Sequence, residues 1–110
     1  MNRSQYDIGK TQLEITRILS TVADHFSVSV AELRGGARTR SVVLPRQVAI
    51  YLAKQTTTAS LQEIGEEFGG KHHTTVFHSI AKIHEQRSVD QVLNRVIRML
   101  LEKLRLPRAQ

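Results

Sequence analysis

The stretch that decides the fold is SLQEIGEEFGGKHHTTVFHSIAKI, Ser60 to Ile83. It opens on Ser60-Leu61-Gln62-Glu63, the spacing of a capping box. There the serine hydroxyl accepts from a backbone N–H three residues on and the Glu reaches back. Leu61, Ile64 and Phe68 follow at helical spacing. Gly69-Gly70 then stops the helix. A second helix is expected to start near His72 to Thr74 and to bury Val76, Ile80 and Ile83. Two short helices across the turn Gly69-Gly70-Lys71 have the layout of a helix-turn-helix. In that motif the second helix enters the major groove with its N-terminal residues against base edges. The start His72-His73-Thr74-Thr75 suits this: histidine and threonine donate or accept hydrogen bonds, and a threonine methyl can touch a thymine methyl. A plain helical hairpin, whose threonines only cap the second helix, has the same pattern.

Outward from this centre the chain reads as helices. Thr11-Gln12-Leu13-Glu14 has capping-box spacing, and Ile15, Ile18, Leu19, Val22 and Phe26 form one apolar stripe. Ser29-Val30-Ala31-Glu32 opens a short helix that Gly35-Gly36 ends. A loop with Arg38 and Arg40 follows. The third helix is expected from about Ser41 to Gln55, with Pro45 in its first turn, where a missing N–H costs little. Ser88-Val89-Asp90-Gln91 is read as a last box. It opens a helix striped by Val89, Val92, Leu93, Val96, Ile97, Leu100 and Leu104 and ending at Pro107. Leu101, Met99 and Leu106 lie off that stripe, so this helix is either a buried cover or a partly exposed face for a partner. The expected architecture is a compact all-α bundle of about six helices containing the helix-turn-helix. Residues 1–10 are expected to be a polar N-terminal tail, 11–106 one domain and 107–110 a C-terminal tail.

Composition narrows the function. The 110 residues carry a net charge of +6 and no cysteine, which favours a polyanion partner and leaves no thiolate site. The distribution is sharper than the sum. Leu33 to Gln62 holds no acid but carries Arg34, Arg38, Arg40, Arg46 and Lys54. Phe68 to His84 again holds none and carries Lys71 and Lys82. Two acid-free windows that fold together make one positive face. No apolar run reaches the roughly 18 residues of a membrane span. Met1 to Lys10 lacks a signal peptide's apolar core, so a cytoplasmic, nucleoid-associated protein is expected. His72, His73 and His78 do not have zinc-ligand spacing, and no P-loop is present. No catalytic residue, metal or cofactor is expected, and the chain is read as a non-enzyme.

Two longer motifs carry a resemblance. Arg38-Thr39-Arg40-Ser41-Val42-Val43-Leu44-Pro45-Arg46-Gln47-Val48-Ala49 and Leu61 to Val76, at this separation, resemble the C-terminal DNA-binding domain of the DnaA family of bacterial chromosomal replication initiators. The likeness spans Leu13 to about Leu100. It implies a Trp-repressor-like helix-turn-helix that binds a replication-origin box in double-stranded DNA. By the same resemblance His73 and Thr74 contact bases, with Lys71, His72 and Thr75 beside them, and Arg38 enters the minor groove. An Arg there reads a narrow, electronegative groove. Thr39, Arg40, Arg46, Gln47, Lys54, Thr57 and Lys82 fall where the family touches phosphate, which supplies register and affinity. Family members with an ATPase domain carry it upstream, so ATP is a cofactor only if such a domain exists.

The sequence departs from the family at His72, where an acidic residue is usual, which implies an altered base preference. Gly35-Gly36-Ala37 and Leu44 stand where basic residues are frequent, and Gln62 stands where proline is common. One recognition helix implies a monomer on an asymmetric site. Two other readings share these residues. One is a stand-alone box-binding regulator, competitor or mobile-element module. The other is a peripheral binder of acidic phospholipids through Arg38, Arg40 and Arg46, which needs an apolar face beside the basic one.

Overall fold

The computed structural model describes residues 5–106. Six helices follow one another, and among the described residues there is no strand: α1 (Gln5–Phe26), α2 (Val30–Arg34), α3 (Arg40–Thr56), α4 (Leu61–Glu67), α5 (His73–Val89) and α6 (Gln91–Arg105). The tail expected at 107–110 lies outside the described residues.

The centre of the bundle is α3. Val48, Ala49, Ile50, Tyr51, Leu52 and Ala53 are buried in unbroken succession, as in a helix with neighbours all round. It touches each of the other five helices. Pro45 sits inside it, in the second turn rather than the first. The carbonyl of Ser41 therefore receives no i+4 donor, because proline has no N–H. That turn survives because Pro45 is itself packed and buried. The helix starts one residue before the expected site, at Arg40.

Local chemistry sets most boundaries. The capping boxes at Ser29–Glu32 and Ser60–Glu63 both form, with hydroxyl and carboxylate contacts of 2.8–3.1 Å. Each cap contributes about 1 kcal/mol, which matters for helices of five and seven residues. The other two boxes do not form as read. Helix α1 begins at Gln5, so Thr11 lies within it, on the buried stripe one turn before Ile15. At the other end the cap of α6 is Asp90, whose carboxylate accepts from Leu93 N–H at 3.0 Å. Ser88 instead donates to the carbonyl of Glu85. In both places the chain was already helical, so the box spacing had no helix start to serve.

Helix α6 buries Leu93, Ile97 and Leu100. Val89 and Val92, expected on the same stripe, stand outside it, and Met99 and Leu106 are exposed. Arg17 ties the end of α6 to α1, donating to the carbonyls of Leu104, Lys103 and Leu106 at 2.8, 3.0 and 2.6 Å. These are carbonyls that a helix end leaves without intrahelical donors.

The turn between α4 and α5 depends on glycine. The carbonyl of Gly65 accepts from Gly70 and Lys71 N–H at 3.0 and 2.9 Å. Gly69 and Gly70 take φ of 81° and 78°, where a Cβ is strained. At Gly69 a Cβ would also collide with the carbonyl oxygen of Arg34, whereas at Gly70 it would meet open space. The two glycines therefore differ in consequence. Gly70→Ala is expected to cost about 1 kcal/mol. Gly69→Ala should cost about 2–4 kcal/mol, because a packed backbone must also shift. Urea unfolding of the two variants measures the gap; equal losses would mean that α2 does not brace the turn.

Candidate nucleic-acid interface

The first turn of α5 stands clear of the core. Val76 and Ser79 are buried, while His73, Thr74, Thr75, Phe77 and His78 are exposed. This orientation follows from the apolar residues: Val76, Ile80 and Ile83 turn toward the core cluster and leave the opposite side outward. Val76 rests against Gly65 of α4, so the bracing helix sets the position of the outward residues directly.

His72 is the N-cap of α5. Its Nδ1 accepts from Thr74 N–H at 3.1 Å. Acceptance needs a lone pair, so the proton of the neutral ring resides on Nε2. The imidazole thus does the capping work for which an Asp is the commoner choice, and it keeps a donor where a carboxylate would offer only acceptors. Its ring lies 4.2 Å from that of His73, centroid to centroid.

The basic residues divide into two sets. Arg46 is only 7% exposed. Its Nε, Nη1 and Nη2 donate to the carbonyls of Leu33, Ala37 and Glu32 at 3.0, 2.8 and 2.8 Å. Lys71 Nζ donates to the carbonyls of Phe68, Gly35 and Arg34 at 2.6, 2.9 and 3.3 Å. Burial holds the Arg46 pKa below its ordinary value. Burial also lowers that of Lys71, with the nearby Arg46 charge adding to the effect. The sequence reading puts Arg46 on a phosphate and Lys71 beside the bases; in the structure Arg46 is buried and Lys71 half-buried, and the charged ends of both are engaged by backbone carbonyls. They hold the end of α2, the basic loop and the turn before α5 in one arrangement. Nothing in helical periodicity distinguishes such a cation from an outward one; a Gly-Gly turn beside the α2 carbonyls is the only clue.

The second set is open. Arg38, Thr39, Arg40, Lys54 and Lys82 are exposed, and Gln47 is half-buried. Arg38, Arg40, Gln47 and Lys82 border one hollow, so the fold does unite the two acid-free windows. Lys54 Nζ lies 3.4 Å from the carbonyl of Ala59, at the α3–α4 connection. The Thr57 hydroxyl shapes the same connection, donating to Ala53 O at 2.7 Å and accepting from Ala59 N–H at 3.1 Å. Arg34 lies 3.7 Å from Glu67, which partly offsets its charge. Phe77 was not singled out from sequence. It is 54% exposed, one turn beyond His73 on the outward side of α5. Its signal was the apolar residue next to Val76, out of phase with the buried stripe.

A short braced helix, a glycine turn and a second helix with an exposed polar start define a helix-turn-helix domain. The family described as "Bacterial dnaA protein helix-turn-helix" matches residues 15–83. The chromosomal replication initiator protein DnaA of Lactobacillus acidophilus is 51% identical over 78 residues, covering 71% of this chain and 17% of that protein. That of Latilactobacillus sakei is 48% identical over 87 residues, covering 79% and 19%. That of Burkholderia multivorans is 44% identical over 94 residues, covering 86% and 18%. A crystal structure described as a DNA replication initiation factor superposes with a TM-score of 0.78 at 27% identity, covering 86% of this chain and 29% of that one. The chain belongs to the bacterial DnaA helix-turn-helix family, and spans about a fifth of the length of these relatives.

The inward set makes a stability prediction. Arg46→Ala removes a guanidinium serving three carbonyls, each charge-assisted bond being worth about 1.5–3 kcal/mol. A loss of about 3 kcal/mol is expected, with only partial rescue by Lys, whose ammonium lacks the planar fork. Lys54→Ala, at an exposed site, should stay within about 0.5 kcal/mol. Thermal unfolding of the three variants reads this directly, and an Arg46→Ala protein as stable as the parent would refute the inward role.

Proposed function

We propose that this chain binds double-stranded DNA sequence-specifically at a replication-origin box, with α5 in the major groove and the Arg38 loop in the adjacent minor groove. The observation that carries the reading is the exposed His73-Thr74-Thr75 start of α5, with the open cations Arg38, Arg40 and Lys82 lining a hollow of the same domain. A phosphate backbone needs the cations, and base edges need the polar helix start. Membership of the DnaA family supports the same reading, and the relatives named above are chromosomal replication initiators. As part of such an initiator, the domain's role is to bring it to the origin.

In this reading His73 and Thr74 contact bases, with Thr75 beside them. Phe77 offers an apolar edge for a thymine methyl. Thr39, Arg40, Gln47, Lys54, Thr57 and Lys82 serve phosphates. Arg46 and Lys71 act one step back, as positioning residues that fix the loop carrying Arg38 and the turn preceding His73. His72 sets the first turn of α5 and brings its remaining ring nitrogen to the groove as a donor.

Fluorescence anisotropy with a duplex carrying the family's box and a scrambled duplex tests the proposal. His73→Ala should cost about 1–3 kcal/mol on the box and narrow the preference over scrambled DNA. Arg40→Ala and Lys82→Ala should each weaken both duplexes alike and lower the salt slope by about one. Equal affinity of the unmodified chain for both duplexes would overturn sequence specificity. His72→Asp keeps an N-cap acceptor, so stability should hold within about 0.5 kcal/mol while site selection shifts at a single base pair. An unchanged selected site would remove His72 from the readout.

A further inference from the structure

The hollow bordered by the open cations has a second character that DNA does not use. It encloses about 470 Å³ between the start of α3 and the corner where α5 meets α6. That falls in the range of roughly 300–1,000 Å³ typical of ligand clefts. Its rim carries Arg38, Arg40 and Lys82. Beside these cations the lining holds four aliphatic side chains, Val43, Leu44, Val89 and Leu93, together with Gln47 and Gln86. Val89 is 82% exposed, and Val92, three residues on at the start of α6, is 64% exposed. The single acid at the rim is Asp90, whose carboxylate caps α6 by accepting from Leu93 N–H.

A sugar-phosphate backbone satisfies the cations and leaves the aliphatic side chains facing a charged strand. Cations and aliphatic side chains lining one hollow are matched by a chain that carries carboxylates and large aliphatic or aromatic side chains together. Amphipathic segments of this kind seat their apolar anchors in a groove and aim their charges at its edges. We infer that this hollow is a docking site for an acidic amphipathic peptide segment of a partner protein, and that its occupancy excludes DNA. The exclusion rests on the DNA-binding reading above, because the partner's carboxylates and the DNA phosphates claim the same cations. The docking does not rest on it. Val89, largely exposed and in the lining beside the cations, supplies the apolar anchor point for such a segment.

The test uses a synthetic peptide of Glu, Ala and Leu, with the leucines at helical i and i+4 spacing, and polyglutamate of equal charge as the control. Both are titrated at physiological salt into the isotope-labelled chain without DNA, and then into its complex with a labelled duplex. Shifts at Val43, Val89 and Leu93 with the peptide, and displacement of the duplex by the peptide at concentrations where polyglutamate fails, are the expected results. Val89→Asn should weaken the peptide about fivefold by removing an apolar contact, with duplex affinity changed less than twofold. Equal action of peptide and polyglutamate, or a peptide affinity indifferent to Val89→Asn, would overturn the docking site by reducing it to charge alone. The titration without DNA decides docking even if the duplex proves not to bind. Peptide that docks without displacing a bound duplex would overturn the exclusion alone.

Discussion

A five-residue helix cannot satisfy its own last carbonyls, and the architecture of the interface depends on how this chain does so. At the end of α2 the donors come from two cations distant in sequence, Arg46 of α3 and Lys71 of the α4–α5 turn. The same two groups reach the carbonyls of Ala37 in the basic loop and Phe68 at the close of α4. One set of charge-assisted bonds therefore holds these three segments in register. Close approach of Gly69 to the carbonyl of Arg34 completes the joint.

This joint separates structural charge from available charge. A count of basic residues treats Arg46 and Lys71 like Arg40 and Lys82, yet the first pair has its donors committed to backbone oxygen and the second pair faces outward. The electrostatic footprint is smaller and better placed than composition suggests. His72 shows a related economy. A residue that departs from the usual acid still ends its helix correctly, because capping asks only for an acceptor lone pair in reach of Thr74 N–H. The chemistry that this position presents to solvent can then change while the fold does not.

Sequence made the locally determined parts legible. Ser29 and Ser60 sit after non-helical residues, so their boxes form where the spacing places them; the Gly69-Gly70 stop and the stripe of Val76, Ile80 and Ile83 follow equally local rules. Thr11 and Ser88 have comparable spacing but lie in chain already helical, a condition that spacing alone does not reveal. The six-residue buried run of α3 erases amphipathic periodicity, and so hides which face it turns to which neighbour. The direction of a long cationic side chain is set by tertiary acceptors, so the carbonyl contacts of Arg46 and Lys71 were not legible in the sequence. Val89 and Val92 were assigned inward by period, but α6 enters from a cap at Asp90, and its inward line begins at Leu93.

The central position of α3 also orders how the molecule comes apart. Helices α2 and α4, of five and seven residues, are far below the length at which a helix persists in water. They exist by virtue of their caps and of what they rest on. Releasing them would uncover Leu33, Ile64 and Phe68, all fully buried, so the core holds these short helices as much as their caps do. The amides of Val48 to Ala53, enclosed by every other helix, are expected to be the slowest of the domain to exchange with solvent. The exposed start of α5 is thus mounted on a core centred on α3, so that the outward side chains and the contacts that hold the fold are different residues.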